Sequence, residues 1–232
     1  MNYIAAFLLI LIQSLPLGSR PITTGGGGVT VVQSSVSSAS GTWTTTITPT
    51  AAGHLLSGTA LVGSSGGCAT SPTVSDTAGN TWFIDKTLND SAGTGFQFAA
   101  FHAISNGTTA TTLTITHGVC VDGSVSVAEV SGLASNALDL ANSASSAPAS
   151  APTVTLSPIS VGDFCSFQGN LVSQPGGFTP SSFTTMQFMQ TGVGGGELGN
   201  DMFMSGLSTA TSLTITSTAS YGLWILIGAC YK

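Results

Sequence analysis

The chain has 232 residues, of which only 5% are charged, and its formal net charge is −6. Globular domains usually carry about 25% charged residues, so the scarcity of charge is the first property to explain. The three cations, Arg20, Lys86 and Lys232, are too few for the basic surface that DNA or RNA binding requires, and we expect no nucleic-acid partner. A hydrophobic fraction of 42% excludes a disordered chain.

The N-terminus carries an apolar run over residues 4–12. Nine residues are too few to cross a bilayer as a helix, which takes about 20, and the run is typical of a secretion signal. We therefore predict a signal peptide over residues 1–19 and an extracellular or cell-surface protein without a membrane span in the mature chain. The alternatives are an apolar tail that packs against a partner subunit and, for location, a virion surface.

Beyond a glycine-rich linker over residues 20–28, the pattern is one of strands and turns. Short runs rich in β-branched and aromatic residues are separated by clusters of Gly, Ser, Asn, Asp and Pro. Residues 29–232 are predicted to form one all-β domain, a single antiparallel β-sandwich that is jelly-roll-like, with an immunoglobulin-like sandwich as the alternative. The predicted strands cover residues 29–32, 42–47, 55–62, 82–84, 96–102, 113–116, 125–130, 154–156, 164–172, 183–189, 202–204, 213–216 and 223–229.

Residues 134–152 are the best helix candidate, because they are rich in Ala. Pro148, Pro152 and many serines nevertheless favour an ordered loop there.

An internal echo divides the sandwich into two parts. The segment TATTLTIT at residues 109–116 recurs as TATSLTIT at residues 209–216, a displacement of 100 residues. Two copies are too few for a solenoid, and a single sandwich with a pseudo-repeated half fits better.

Four cysteines lie far apart, at Cys68, Cys120, Cys165 and Cys230, with no spacing typical of a zinc site. In a secreted chain they predict two disulfides. If consecutive strands alternate in direction, the loops of Cys68 and Cys120 lie at the same end of the sandwich, which favours that pair. Spacing alone permits three connectivities, and on this prediction Cys165 and Cys230 are left as the second pair.

Three segments resemble motifs of a group of secreted bacterial β-sandwich modules. They are TVSDTAGNTW at residues 73–82, FAAFHA at residues 98–103 and SVAEVSGL at residues 126–133, the last followed by Leu138 and Asp139. The corresponding motifs of the group are a VSDSxGNTY/W turn, a YYA-like strand and a VAEYSG segment followed by LD. The resemblance implies a jelly-roll or immunoglobulin-like extracellular module from a group largely without assigned activity, and it implies no catalytic residues. The four cysteines and His102 depart from the pattern.

Few residues suggest chemistry. Asp76, Gly79 and Asn80 are typical of a hairpin turn, since a calcium loop needs six or more oxygen ligands. Glu129 is in phase with Val125 and Val127, so it is predicted to face the same side of the sheet as two apolar residues. It either hydrogen-bonds loop backbone at the sheet rim or, paired with Glu197 of a glycine-rich loop, serves a glycosidase.

Of the three tryptophans, Trp43, Trp82 and Trp224, Trp82 is the best candidate for an exposed aromatic that stacks on a sugar, since Trp224 lies in an apolar strand. Trp82 and Glu129 are the weak candidates for polysaccharide binding. No two of His54, His102 and His117 have a ligand spacing, so we predict no metal and no cofactor.

Two classes of function follow from these observations. The first is a non-catalytic extracellular structural or adhesive surface protein, whose strands lack the Lys and Pro that usually protect sheet edges and which assembles into homo-oligomers or polymers by strand addition. The second is a carbohydrate-binding module or a weak glycan hydrolase. A viral spike or capsid decoration protein also fits the composition.

Overall fold

The computed structural model describes residues 22–23, 28–40, 43–63, 72–89, 97–116, 122–134, 136, 138–146, 153–159, 162–171, 178–180, 186–193, 197–204, 211–217 and 224–232. Within these ranges the chain forms strands and turns, and every strand pairing is antiparallel. The predicted all-β antiparallel sandwich is confirmed. No helix among the described residues is long and apolar enough to cross a membrane.

The first half of the chain contributes two sheets. A six-stranded sheet has the order β1-β2-β9-β4-β7-β6, and a three-stranded sheet has the order β3-β8-β5. The strands are β1 (Ile22–Thr23), β2 (Thr30–Ser40), β3 (Trp43–Ile47), β4 (Leu55–Gly63), β5 (Thr73–Asp76), β6 (Phe83–Asn89), β7 (Gln97–Ile104), β8 (Thr111–Thr116) and β9 (Asp122–Ser131).

The second half contributes a five-stranded sheet of order β10-β17-β12-β15-β14 and a three-stranded sheet of order β11-β16-β13. The strands are β10 (Leu138–Ser146), β11 (Thr153–Ile159), β12 (Phe164–Leu171), β13 (Phe178–Pro180), β14 (Met186–Val193), β15 (Glu197–Met204), β16 (Thr211–Ser217) and β17 (Trp224–Tyr231).

The two halves repeat one topology. Without β1, the strand order of the first half becomes that of the second half when each strand is replaced by the one eight places later. In each half the first of the eight repeated strands pairs with the eighth, and the second with the seventh, which is the nesting expected of a jelly roll. The echoed segments form β8 and β16, the central strands of the two small sheets. The sequence echo therefore marks a repeated structural unit.

The registers repeat as well. Leu55 faces Val130 in the first half, and Phe164 faces Tyr231 at the corresponding place in the second. A bulge lies between Val31 and Gln33 of β2, and β10 has a bulge at the equivalent point. Because bulges occur at defined points of a ladder, their agreement shows that β2 and β10 correspond residue by residue, whereas a bulge between Ile84 and Lys86 of β6 has no counterpart in β14.

The large sheets of the two halves pack face to face over a shared core. Leu55, Phe98 and Val130 of the first half join Phe164 and Tyr231 of the second in one buried cluster. On the other face of the six-stranded sheet, a second cluster is formed with the β3-β8-β5 sheet by residues that include Trp43, Leu56, Phe101, Leu113 and Val127. The β11-β16-β13 sheet lies against the second large sheet, where β11 contacts β10 and β17 as β3 contacts β2 and β9.

A pseudo-two-fold axis relates the halves. β4 contacts its own equivalent, β12, while β2 contacts β14 and the equivalent strand β10 contacts β6. Such reciprocal contacts define an isologous interface, as in a two-fold dimer. Ser57 and Ser166, which are equivalent residues, lie 2.9 Å apart through their hydroxyl oxygens and are both fully buried. The axis therefore passes close to this pair.

The structure differs from the sequence predictions in several segments. Residues 138–146 form β10 and not an ordered loop, because β17 supplies a complete ladder for them. Glu197 begins strand β15 opposite Val193 and is not part of a loop. Within the predicted linker, Ile22 and Thr23 form β1 on the edge of β2.

A disulfide joins Cys165 of β12 to Cys230 of β17, which confirms that predicted pair. The two residues face each other in the ladder. Cys68 and Cys120 lie outside the described residues.

Gly58 of β4 packs closely against the backbone of Ser126 and the ring of Phe101, and a substitution there tests this packing. A Cβ atom there would lie 2.4 Å from the carbonyl oxygen of Ser126 and 2.5 Å from the Phe101 ring, so Gly58→Ala is expected to lower the free energy of unfolding by about 3 kcal/mol. Gly107→Ala is the control, because a Cβ atom at Gly107 meets nothing within 4 Å. Urea unfolding of both variants measures the difference, and equal stabilities would contradict the close approach.

Candidate functional site

Glu129 is a fully buried carboxylate of β9. Its in-phase neighbours Val125 and Val127 belong to the core beneath the β3-β8-β5 sheet, and Glu129 alternates with Ala128 and Val130, which face the other core. The side chain therefore lies on the face that the period-two pattern predicts. It sits at the end of that core, under the loop that connects β3 to β4.

Four donors surround this carboxylate. Oε1 accepts hydrogen bonds from the backbone N–H of Thr50 at 2.7 Å and from its hydroxyl at 2.8 Å. His54 Nδ1 lies 2.7 Å from the same oxygen, and Gln33 Nε2 donates to Oε2 at 2.6 Å. Burial raises the pKa of Glu129, but the hydrogen bonds from Gln33, His54 and Thr50 outweigh it and hold the pKa below its ordinary value.

The arrangement around Glu129 fastens a loop. Gln33 also donates to the carbonyl of Thr48, and Ser105 donates from its hydroxyl to the carbonyl of Ala51 at 2.5 Å. The backbone N–H of Gly53 donates to the carbonyl of Ser105 at 2.8 Å. Oε1 of Glu129 thus holds the β3–β4 loop directly, and Oε2 holds it through Gln33 of β2, whose amide also donates to Thr48.

Asp76 organises the turn that follows β5. Its Oδ1 accepts from the backbone N–H of Ala78 and of Asn80, each at 3.1 Å. Its Oδ2 accepts from the side-chain amide of Asn80 at 2.6 Å and from the indole N–H of Trp82 at 3.0 Å. The carboxylate is therefore engaged by four donors of its own segment, as expected of an Asp that stabilises a turn. The prediction of a hairpin is wrong, however, because the turn leads from β5 of the small sheet to β6 of the large sheet, and these two strands do not pair.

Trp82 is partly buried. Its ring makes an edge-to-face contact with Phe101, with centroids 5.5 Å apart, and packs against the core beneath the small sheet. The partners of Trp82 are thus Asp76 and Phe101, whereas those of Glu129 are Gln33, Thr50 and His54. The two residues that the sequence selected for polysaccharide binding are held by different neighbours.

A second buried carboxylate, Asp85, was not singled out by the sequence. In β6 the ladder passes from Ile84 opposite Phe101 to Lys86 opposite Ala100, so Asp85 is the extra residue of a bulge. Bulges redirect side chains, and the Asp85 carboxylate is only 2% exposed. It lies between the large sheets of the two halves.

The partners of Asp85 come from both halves. Oδ1 lies 2.7 Å from Nδ1 of His102 in β7, and Oδ2 accepts from the hydroxyl of Tyr231 in β17 at 2.7 Å. Burial, then the Asp85 charge and the hydrogen bond to it, raise the pKa of the fully buried Tyr231 well above its ordinary value, although hydrogen bonds with Ser57 and Ser166 act in the opposite direction. The Tyr231 hydroxyl therefore stays protonated and donates.

One aromatic residue beside this network faces solvent. Phe83 of β6 is 53% exposed and stacks on the His102 ring, with centroids 5.2 Å apart and an interplanar angle of 23°. His102 in turn contacts the Tyr231 ring at 5.3 Å. Phe83 is thus the exposed outer face of a stack that continues into the interface between the halves.

The remaining candidates form no further cluster that the structure describes. Within the described ranges, no group of three or more His, Cys, Asp or Glu side chains is placed to hold a metal ion. His117 lies outside these ranges. Only the strand position of Glu197, opposite Val193, is described for that residue.

Comparison of the chain with protein-family models, with curated proteins and with solved structures finds no significant match.

The pKa of Glu129 predicts how stability depends on pH. Because the folded pKa lies below the unfolded value of about 4.3, the group stabilises the fold above that pH, and the contribution is lost as pH falls through the folded pKa. Glu129→Gln should cost about 3 kcal/mol at pH 7, because an amide cannot satisfy all of the donors that surround the carboxylate. The cost should be smaller at pH 3, because the wild type has by then lost part of the stabilisation that its charged carboxylate provides at pH 7.

The control for this prediction is Asp139→Asn, which removes a pair with Lys232, whose side chain is 48% exposed. That change should cost less than about 1 kcal/mol. Chemical unfolding at the two pH values measures both, and a cost of Glu129→Gln that is the same at pH 7 and pH 3 would contradict the prediction.

The Asp85 network predicts a coupling between the halves. Tyr231→Phe removes a donor to a buried charge and should lower the free energy of unfolding by about 2 kcal/mol. In an Asp85→Ala background the same change leaves no charge unsatisfied and should cost much less. Equal costs in the two backgrounds, measured by denaturant unfolding, would show that the hydrogen bond contributes nothing.

Proposed function

We propose that the chain is a non-catalytic extracellular structural protein of a cell surface that assembles with copies of itself. The observation that carries the proposal is that three of its few carboxylates hold parts of the fold together. Glu129 joins the β3–β4 loop to the large sheet, Asp85 joins the two halves, and Asp76 closes a turn. In each case the carboxylate is occupied by donors of the chain itself, which favours a structural role over acid–base chemistry.

The disulfide of the second half supports an extracellular setting. The Cys165–Cys230 disulfide closes a separation of 65 residues, and disulfides of this kind persist in oxidising compartments. The apolar run over residues 4–12 is the feature that favours secretion.

The open sheets support assembly. Each large sheet ends in edge strands, and the chain offers only three cations with which to protect them. Natural proteins usually protect such edges with charge, Pro or bulges, because unpaired N–H and C=O groups are a template for another chain.

Carbohydrate binding is the second candidate, and the exposed Phe83 favours it. Aromatic rings that face solvent and are held rigid from behind suit the stacking of sugar rings, and His102 holds Phe83 in this way. We place the sugar-binding site of this second candidate at Phe83 and not at Trp82 and Glu129, since Glu129 is fully buried and Trp82 packs against the core.

Two experiments test these proposals. Light scattering and electron microscopy of the mature protein should show ordered oligomers or polymers, and a strictly monomeric chain at high concentration would contradict the structural role. A glycan array separates the second candidate: binding that is lost in Phe83→Ala but kept in Trp82→Ala would establish a sugar site at Phe83, and no binding to any polysaccharide would eliminate it.

A further inference from the structure

The packed large sheets have two flanks, each made of two edge strands. The first flank consists of β2 and β14, which contact each other, and the second flank consists of β6 and β10, which do the same. The pseudo-two-fold axis exchanges the two flanks, because β2 corresponds to β10 and β14 to β6. Because the two flanks occupy equivalent positions, a difference in their charge or in their bulges is a property of the flank and not of the topology.

The second flank carries charge on both of its strands. In β6, Lys86 follows the bulged Asp85, and in β10 the bulged residue is Asp139, which forms a 2.5 Å ion pair with Lys232. Lysine and bulges on an edge strand oppose pairing with another chain. The second flank is thus guarded.

The first flank has no charged residue and no proline in either strand. Their sequences are TVVQSSVSSAS for β2 and MQFMQTGV for β14. The β2 bulge lies at the start of the strand, after which the register with β9 continues without a break to Ser40. β1 covers only Thr30 and Val31, so the outer edge of β2 from Ser35 to Ser40 has no strand partner among the residues that the structure describes.

The chain's own N-terminal residues are poor candidates to cover this edge. Ile22 pairs with Val31 and Thr23 with Thr30, so an extension of β1 would place residues 13–18 opposite Ser40 to Ser35. That extension would run through Pro16, Gly18 and Pro21. Proline cannot donate to a ladder, and glycine weakens a strand, so the sequence opposes such a continuation.

We propose that the chain forms a two-fold dimer with a second copy of itself through the first flank. The proposal rests on the proposed structural function and names the surface through which assembly begins. β2 pairs with β2 of the second copy and β14 with its counterpart, and both large sheets continue across the new axis. A strand that meets its own copy about a two-fold axis pairs antiparallel, which is the pairing found throughout this fold.

The two flanks predict opposite outcomes for this kind of pairing. Contact between two copies of the second flank places Lys86 of both copies in one interface, and like charges on paired edges are unfavourable. The first flank carries no such repulsion. From Ser35 to Ser40 the edge of β2 spans about 20 Å, and β14 adds a second edge of similar length.

Hydrogen exchange at two protein concentrations tests the proposal without any substitution. Amides of residues 35–40 and of β14 should become protected as the concentration rises through the dimerisation range, while those of β6 and β10 should not change. Sedimentation velocity of the same samples should show a monomer–dimer equilibrium.

Two matched variants make the test specific to the flank. Ser38 of β2 faces Ser124, and Ser145 of β10 faces Ile225 at the equivalent position, so the same substitution can be made in both flanks. Ser38→Lys should weaken dimerisation by about tenfold or more, since it places two cations in one pairing. Ser145→Lys should leave the dimer unchanged. Thermal unfolding of each variant at low concentration checks that the monomer is folded.

Three results would overturn the assignment. Concentration-dependent protection of β6 and β10 would place the interface on the second flank. Protection of residues 35–40 at all concentrations would show that the chain itself covers the edge. Oligomers that are insensitive to Ser38→Lys and leave the first flank unprotected would refute the assigned surface but leave the structural function standing, whereas a monomer under all conditions would contradict both.

Discussion

The burial of one negative charge between two sheets constrains much of this structure. The Asp85 side chain is almost fully buried, and a charged carboxylate without partners in such surroundings is strongly unfavourable. The carboxylate requires hydrogen-bond partners that stay in place. Tyr231 of the second half and His102 of the neighbouring strand β7 are these partners. Because the Tyr231 hydroxyl also interacts with Ser57 and Ser166, the charge, the phenol and the serine pair form one network along the pseudo-two-fold axis. The halves cannot separate without exposing Asp85 to solvent and breaking the hydrogen bonds that join Asp85 to Tyr231 and Ser57 to Ser166.

Equivalent positions of the two halves carry different chemistry within the same topology. Leu56 faces Glu129 in the first half, and Cys165 faces Cys230 at the corresponding place in the second. The first half thus fastens a loop with a charged, four-donor carboxylate, whereas the second half joins neighbouring strands covalently. A carboxylate network depends on pH and a disulfide depends on redox conditions, so the halves respond to different changes of environment. The same divergence distinguishes the two flanks, of which one acquired charge and the other did not.

Much of the fold could be predicted from the sequence, because alternation and β-branched residues are local signals. They identified most strands, the face of Glu129 and the echo of β8 in β16. β10 escaped prediction, since its Ala and Ser residues have little strand preference and the strand depends on pairing with β17. The Asp85 site was not predicted for a similar reason. Its partner Tyr231 is 146 residues away in the sequence, and no local sequence signal predicts the bulge that buries Asp85. Trp82 was chosen as an exposed aromatic, but its partner Asp76 and the core beneath it are visible only once the turn has folded.

The central claim is that the two halves form one cooperative unit through their shared core and the Asp85 network. Differential scanning calorimetry tests it most directly by comparing the measured unfolding enthalpy with the van't Hoff enthalpy. We expect a single transition in which the two enthalpies agree for the whole chain. Two separate transitions, or a van't Hoff enthalpy near half of the calorimetric value, would show that the halves unfold independently and are not one cooperative unit.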